Sequence, residues 1–138
     1  MALVVLKNAY VMINAVDLSD HVKQVTLKYS AEIIDDTAMG ATSKSRIAGL
    51  KDWSMDVEFY QDYASGKVDA TLFPLVGAAS FAVHLKPVND TISATNPDYT
   101  GNAVIEGDYQ PVAGEVGSLA TATVSFAGDG DLTRDVTP

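Results

Sequence analysis

The fold is decided by Trp53-Ser54-Met55-Asp56-Val57-Glu58-Phe59-Tyr60, a segment in which apolar and polar side chains alternate. Successive side chains of a β-strand point to opposite faces. One face of this segment therefore carries Trp53, Met55, Val57 and Phe59, and the other carries Ser54, Asp56, Glu58 and Tyr60. The period of two predicts a half-buried antiparallel strand.

The same alternation recurs on both sides of this segment and predicts a mainly β protein. Upstream, Val25, Leu27 and Tyr29 alternate with polar residues, in a strand expected to run on through Ile34. Downstream, three further strands are predicted around the following apolar sets: Phe81, Val83 and Leu85, closed by Pro87; Ala103 and Ile105; and Ala122, Val124 and Phe126. Near the N-terminus, residues 3–6 and 10–13 are predicted to form a short hairpin around Asn8.

One segment breaks the alternation and predicts a single short helix at about residues 65–76. Val68, Leu72 and Leu75 recur at helical spacing. Ser65 is the expected N-cap, and Gly77 is expected to end the helix. Proline is not tolerated in a long helix interior, so Pro74 limits the helix to two or three turns.

A long connection at about residues 35–49 joins the two clearest strands. It contains small and polar side chains without periodicity, whereas a hairpin needs only about two to five loop residues. Carboxylates stand at its start and cations near its end, which suits docking on a second copy of the chain; a solvated surface arm is the alternative. The predicted contact residues are Asp35, Asp36, Met39, Lys44, Arg46 and Ile47.

Composition excludes several classes of function. The chain has 138 residues, 47% of them hydrophobic, no cysteine and a net charge of −9. This size predicts one domain over residues 1–138. The absence of cysteine excludes disulfides and thiolate metal sites, and the acidic balance argues against a nucleic-acid-binding surface. The charge is uneven: residues 1–51 hold six Lys and Arg against five Asp and Glu, whereas residues 52–138 hold three against thirteen.

No catalytic, cofactor or metal site is predicted. His21 and His84 lack partners at metal-ligand spacing and are expected to be exposed to solvent. Asp129-Gly130-Asp131 resembles the start of a calcium loop without its bidentate Glu, so a turn is the favoured interpretation. The apolar run before Lys7 is too short for a signal or membrane segment, and the chain is expected in the cytoplasm where it is made. The chain is therefore predicted not to be an enzyme.

Several short motifs resemble one family. Leu18-Ser19-Asp20-His21-Val22 leads into a strand, and Asp35-Asp36-Thr37-Ala38-Met39-Gly40 follows it. Ser45-Arg46-Ile47-Ala48-Gly49-Leu50-Lys51-Asp52-Trp53 precedes the alternating strand, and Asn96-Pro97-Asp98-Tyr99-Thr100-Gly101 and Gly128-Asp129-Gly130 come later. In their order and local sequence these motifs resemble the major tail protein, or tail tube protein, of long-tailed bacteriophages. The resemblance covers residues 16–131.

The resemblance implies an antiparallel β-sandwich or barrel with one flanking helix, assembled as hexameric rings that stack into a tube. The inner sheets of six subunits would join around a channel that DNA crosses during ejection without specific binding. The loop at residues 35–49 would reach the neighbouring ring. Implied partners are further copies of the chain and the tape-measure and tail terminator or tip proteins, without a membrane or a cofactor. The implied location is the virion, after assembly in the host bacterial cytoplasm. The tubes of contractile injection and type VI secretion machines share this architecture.

Two expectations remain open at this point. Asp56 and Glu58, on the polar face of their strand, are the residues expected to face the channel. The alternative function is a β-sandwich binding module for carbohydrate or adhesion, which would use exposed aromatic rings. Its candidate rings are Tyr60, Tyr63, Tyr99 and Tyr109.

Overall fold

Eight antiparallel strands form a single connected sheet in the computed structural model, which describes residues 3–138. The strands are β1 (Tyr10–Ile13), β2 (Val16–Asp17), β3 (Val22–Asp35), β4 (Arg46–Tyr60), β5 (Phe81–Lys86), β6 (Asp98–Glu106), β7 (Thr121–Gly128) and β8 (Thr133–Asp135). They lie in the order β2-β1-β5-β6-β7-β4-β3, and β8 pairs with β6 beyond the end of β7. The mainly β fold expected from the alternation is confirmed.

The apolar faces of the strands share one core. Trp53, Met55, Val57 and Phe59 are all buried, as their alternation predicts. They form one cluster with the apolar residues of β1, β5, β6 and β7. The Phe81 and Phe126 rings meet edge to face, with centroids 5.8 Å apart. Full burial of each large side chain stabilises the fold by about 1.5–3 kcal/mol.

Two glycines make room for the only tryptophan. A Cβ atom added to Gly128 would lie 2.3 Å from Trp53 Nε1, and one added to Gly101 would lie 2.8 Å from Trp53 Cζ2. Both distances are shorter than a van der Waals contact allows. β6 and β7 therefore need glycine at these positions to pack against the indole ring.

The helical segment is shorter than the predicted 65–76. Helix α1 spans Val68–Leu72 and continues as a 3₁₀ turn at Phe73–Leu75. Ser65 is not the N-cap, because Lys67 occupies that position and makes no capping side-chain bond. The preceding turn is held instead by Asp62, whose carboxylate accepts a hydrogen bond from Ala64 N–H. Val68, Leu72 and Leu75 are buried, as their spacing predicts.

The predicted hairpin between residues 3–6 and 10–13 is wrong. Residues 3–6 form no strand, and β1 turns directly into β2. Asn14 and Ala15 both have positive φ, the conformation that a two-residue hairpin turn with the twist of its strands requires. β1 finds its second partner in the distant β5, with Val11 opposite Leu85.

The connection at residues 35–49 is also shorter than predicted. β3 continues to Asp35 and β4 begins at Arg46, so the loop proper covers residues 36–45. The paired strands contain a β-bulge, in which Gly49 and Leu50 of β4 face Glu32 alone. Bulges increase the local twist and bend the strand. The segment is therefore a bent two-stranded ribbon with a loop at its tip.

Candidate functional site

The outer ends of β3 and β4 extend beyond the rest of the sheet. β7 pairs with β4 only from Ser54 onward, so within residues 3–138 no third strand lies beside residues 30–52, here called the arm. Every residue from 28 to 48 is exposed. A two-stranded ribbon alone is marginally stable in water. The arm is thus the part of the chain with the least support from its own subunit.

Apolar side chains occur on both faces of the arm. Alternation along β3 places Ile33 on the face that continues Val25 and Leu27, and Ile34 on the opposite face. Ile34 pairs with Ile47 across the ribbon. All three isoleucines are exposed, and Leu50 is 81% exposed. Exposed apolar groups concentrated in one element are typical of an interaction surface.

The tip of the arm is held by its own hydrogen bonds. Asp35 accepts a bond from Thr37 N–H, at 2.9 Å. The Thr37 hydroxyl accepts from Ser45 N–H at 2.7 Å and donates to Ser45 O at 3.2 Å. The bonds from the Thr37 side chain and backbone lower the pKa of Asp35. Asp35, which was predicted to contact a neighbouring ring, is therefore engaged within its own loop.

The other predicted contact residues are displayed to solvent. Met39 is 104% exposed at the tip, and Asp36, Lys44 and Arg46 are exposed as well. Within residues 3–138, neither Lys44 nor Arg46 takes part in an ion pair. The tip therefore presents one apolar side chain among cations and a carboxylate.

The polar face of β4 carries the two residues expected at the channel. Asp56 binds Lys28 Nζ and Glu58 binds Lys23 Nζ, each at 3.0 Å. A hydrogen bond from Ser125 and then the one from Lys28 lower the pKa of Asp56. Both lysines lie on β3, so the two carboxylates are partly neutralised by the adjacent strand. This face of the sheet is hydroxyl-rich and carries paired charges.

β3 is the terminal strand of the sheet. Among the described residues, its only strand partner is β4, and its outer edge carries no backbone pairing. Residues 6–9 pass beside its first half, where Leu6, Ala9, Val25 and Leu27 line a cleft of about 280 Å³. Beyond Lys28 the edge is open. An unpaired strand edge of this length is a template for pairing with another chain.

A groove with a mixed apolar and polar lining lies at the end of the sheet opposite the arm, and the sequence did not predict it. It has a volume of about 900 Å³ and is lined by Phe73, Val76, Val112 and the segment 107–111. Phe73 is 64% and Val112 79% exposed. The groove joins two segments that are far apart in the sequence and show no shared pattern, so only tertiary structure reveals it.

The wall of this groove is anchored by tyrosine hydroxyls. Tyr63 donates to Pro111 O at 2.7 Å, and Tyr109 donates to Asp69 at 2.9 Å. Gln61 Nε2 also donates to Pro111 O, at 2.7 Å. Burial is the main cause that raises the pKa of Tyr109 to about 12. These bonds hold the segment after β6 against helix α1 and against the connection between β4 and α1.

Both histidines are partly buried, which corrects the expectation that they are exposed. His21 Nε2 lies 2.8 Å from Asp62, and His84 Nδ1 lies 3.0 Å from Asp98. The pair at His21 joins the turn before β3 to the turn after β4. Across residues 3–138, no three His, Asp or Glu side chains converge as metal ligands would.

The four tyrosines of the alternative binding surface do not form an exposed strip. Tyr60 and Tyr63 are exposed, whereas Tyr99 and Tyr109 are partly buried. The Tyr109 hydroxyl faces inward to Asp69. A flat row of accessible rings, which carbohydrate-binding surfaces use, is therefore not formed by these residues.

Comparison with known proteins gives matches in structure but not in sequence. No protein-family model matches the chain, and no curated protein matches it. A chain from the virion of a native gene transfer agent particle superposes with a TM-score of 0.69, at 14% identity, over 92% of this chain and 95% of that one. The chain has the fold of phage-type tail proteins. The resemblance seen in the sequence motifs is confirmed at the level of the fold.

Two further tail structures share the fold. A chain from the tail of an empty gene transfer agent particle, refined with helical and C6 symmetry, gives a TM-score of 0.62 at 16% identity, over 83% of this chain and 81% of that one. The Dit protein of phage SPP1, described as a hub adsorption apparatus, gives 0.50 at 16% identity, over 90% of this chain and 50% of that one. In the part of the chain that the structure describes, no helix is long and apolar enough to cross a membrane.

Proposed function

We propose that this chain is the structural subunit of a phage-type tail tube, in which sixfold rings stack around a central channel. The observation that carries the proposal is the match of almost the entire chain to a protein of a gene transfer agent virion. A tail of such a particle has helical and C6 symmetry. The same arrangement in this chain would make it a virion component rather than an enzyme.

The open edge of β3 supports ring formation. Subunits that join sheets edge to edge satisfy the unpaired backbone groups of a strand that the monomer leaves open. Such a contact is heterologous, and it closes into a ring when the rotation between copies divides a full turn. The part of β3 beyond Lys28, residues 29–35, supplies an open edge of about 23 Å.

The arm supports stacking of the rings. Its contact is head to tail, so repetition produces an open filament. One exposed ion pair at Lys44 or Arg46 contributes only about 0–1 kcal/mol. Six arms acting together in a ring would multiply a modest contact into a stable layer. We therefore assign the inter-ring role to Asp36, Met39, Lys44, Arg46 and Ile47, with Asp35 shaping the tip.

The polar face of β3, β4 and β7 is the proposed channel wall. Asp56 and Glu58 lie on it with hydroxyl side chains from β7, such as Ser125, beside them. DNA that crosses the channel would meet paired charges instead of a cluster of free cations, so it would slide without specific binding. Tape-measure protein inside the tube, and terminator or tip proteins at its ends, are the further partners that this role requires.

A hub ring is the second candidate, and the SPP1 Dit match favours it. This chain covers only half of that protein, whereas it covers nearly all of the virion protein. The tube is therefore the preferred assignment. The two assignments predict different assemblies: a tube subunit forms filaments of many layers, and a hub subunit forms isolated rings.

The test is assembly of the purified chain. We expect negative-stain images of concentrated protein to show stacked rings or tubes with a central channel, and sedimentation to show large species that grow with concentration. Isolated rings would favour the hub. A chain that remains monomeric at millimolar concentration would contradict both assignments, and a clear set of hits on a glycan array would then favour a binding module.

A further inference from the structure

We propose that the arm of one copy docks into the Phe73–Val112 groove of the next copy in the stack. This inference deepens the proposed function, because it names the surface on which each ring receives the ring beside it. The occupant is a second copy of this chain, and the docking segment is the tip and outer half of the arm, residues 33–47.

The two surfaces lie at opposite ends of the subunit. β4 begins in the arm and ends at Tyr60, next to Thr121 and close to the groove. Its 15 residues span about 45–50 Å at the rise of an extended strand. Identical subunits arranged head to tail bring opposite ends together. The arm and the groove would therefore face one another at every layer.

The two surfaces both carry exposed apolar side chains. The arm exposes Ile33, Ile34 and Ile47, and the tip exposes Met39. The groove exposes Phe73 and Val112, and further along the same loop Val116 is 107% exposed. In the monomer the apolar side chains of both surfaces are exposed to solvent. Docking would bury both sets in one contact, with a flexible methionine filling an irregular aromatic-lined space.

Charge is also complementary between the two ends. Lys44 and Arg46 lie at the tip, and no ion pair of the described residues uses them. The segment from 106 to 120 carries Glu106, Asp108 and Glu115 without a single Lys or Arg. All three carboxylates are exposed. The first part of the chain is weakly basic and the second part is acidic. The cations of one copy's arm would therefore attract the carboxylates beside the groove of the next copy.

Both surfaces are ordered before they meet. Thr37 and Ser45 fix the tip through reciprocal hydrogen bonds. Tyr63 and Tyr109 fix the wall of the groove. Preorganised surfaces lose less conformational entropy on association, so a modest apolar contact is sufficient.

Cysteine cross-linking tests the contact, and the chain suits it because it contains no cysteine. Tubes are assembled from a mixture of Met39→Cys and Val112→Cys chains and treated with a short bifunctional maleimide. The matched control mixes Met39→Cys with Thr95→Cys, an exposed position in the β5–β6 loop at the arm's own end. We expect the 39–112 cross-link, identified by mass spectrometry of the joined peptides, to exceed the 39–95 cross-link at least about tenfold.

The outcomes separate this proposal from the proposed function. If tubes form and the 39–112 cross-link does not exceed the control, the groove is overturned as the docking site while the tube remains. If the unsubstituted chain forms no tubes, both proposals are overturned.

Charge reversal gives a second measurement that needs no cysteine. The double variant Lys44→Glu with Arg46→Glu should raise the concentration needed for tube formation by about tenfold. Adding Asp108→Lys and Glu115→Lys to the same chain should restore the original threshold concentration, because the negatively charged tip then faces a positively charged groove. An unchanged threshold in the first variant, or no recovery in the second, would count against docking at this groove.

Discussion

The two halves of β4 have opposite relations to solvent, although both pair with β3. In residues 53–59 every second side chain is buried, whereas in residues 46–52 no side chain is buried. Hydrogen bonding to β3 continues through both halves. The difference lies in what covers the strand: β7 and the shared core cover residues 53–59, whereas no other described element covers residues 46–52. Strand pairing alone therefore gives an exposed two-stranded ribbon, and a stable folded unit also requires burial of apolar side chains.

The comparison also separates stability from assembly. Side chains in the covered half contribute to unfolding of the single subunit, because their burial is complete without a partner. Side chains in the arm can contribute only when a second chain covers them. Substitutions in the two halves should therefore be detected by different measurements, and the following predictions run from the largest expected effect on subunit stability to the smallest.

The largest effect is expected for Phe59→Ala. Phe59 is fully buried, so its truncation should lower the free energy of unfolding by about 3–5 kcal/mol. The matched control Ile47→Ala, in the arm of the same strand, should change it by less than about 0.5 kcal/mol. Urea unfolding of the unassembled subunit measures both. Equal losses for the two variants would remove the distinction between the halves.

Gly128→Ala should have the next largest effect. The added methyl group would overlap the Trp53 indole, and overpacking of this kind costs about 1–3 kcal/mol. In a chain that already carries Trp53→Leu, the same change should cost much less, because the overlapping ring is gone. A double-mutant cycle of unfolding free energies measures the coupling. Additive effects would show that the glycine is not required by the tryptophan.

Sequence alone predicted the strands of the covered half of the molecule more fully than those of the arm. From Trp53 to Phe59 every second side chain is apolar and buried, so the residues that show the period of two are also the residues of the core. In the arm, Ile33, Ile34 and Ile47 occupy both faces, and this destroys the period of two that identifies a strand. The first strand of the arm was still predicted through Ile34, whereas the beginning of β4 was assigned to the loop at residues 35–49, although β3 and β4 remain paired as far as Asp35 and Arg46.

The remaining differences involve contacts between distant parts of the chain. β1 pairs with the distant β5 as well as with its neighbour β2, and His21 meets Asp62 across 41 positions. The groove joins Phe73 to Val112. Local patterns contain no signal for such contacts. The exposed apolar residues of the segment 107–119 were the only available indication, because they follow neither a strand nor a helix pattern.

Shortening the tip should leave the subunit stable while it removes assembly. Replacing residues 37–44 with Asn-Gly would join Asp36 to Ser45 through a two-residue hairpin turn. The thermal midpoint of the subunit should move by no more than about 3 °C. Tubes should be absent from negative-stain images at concentrations where the parent chain forms them. Normal tubes would show that the tip is dispensable for stacking.

The smallest effect is expected on acidification. Hydrogen bonds from Thr37 hold the pKa of Asp35 below its usual value, and a bond from Ala64 N–H does the same for Asp62. Lowered values mean that the folded chain favours the carboxylates. Their contribution is therefore complete above the ordinary Asp range near about 4 and is lost as the pH falls through the lower folded-state values.

Nuclear magnetic resonance can follow this loss at a single site. The amide shift of Thr37 should titrate with a midpoint below the ordinary Asp range, and the titration should be absent in Asp35→Asn. A midpoint at or above the ordinary range would contradict the hydrogen-bonded tip.

The bulge at Gly49 and Leu50 has a consequence for any stack built from this subunit. It bends the ribbon by one fixed amount, and every copy carries the same bend. If each layer contacts the next through that ribbon, the bend sets the rotation between successive layers. Because the same rotation is repeated at every layer, a local irregularity of two residues would determine the helical pitch of the whole filament. Removing the extra residue should then change the pitch of the whole filament, far from the atoms that were altered.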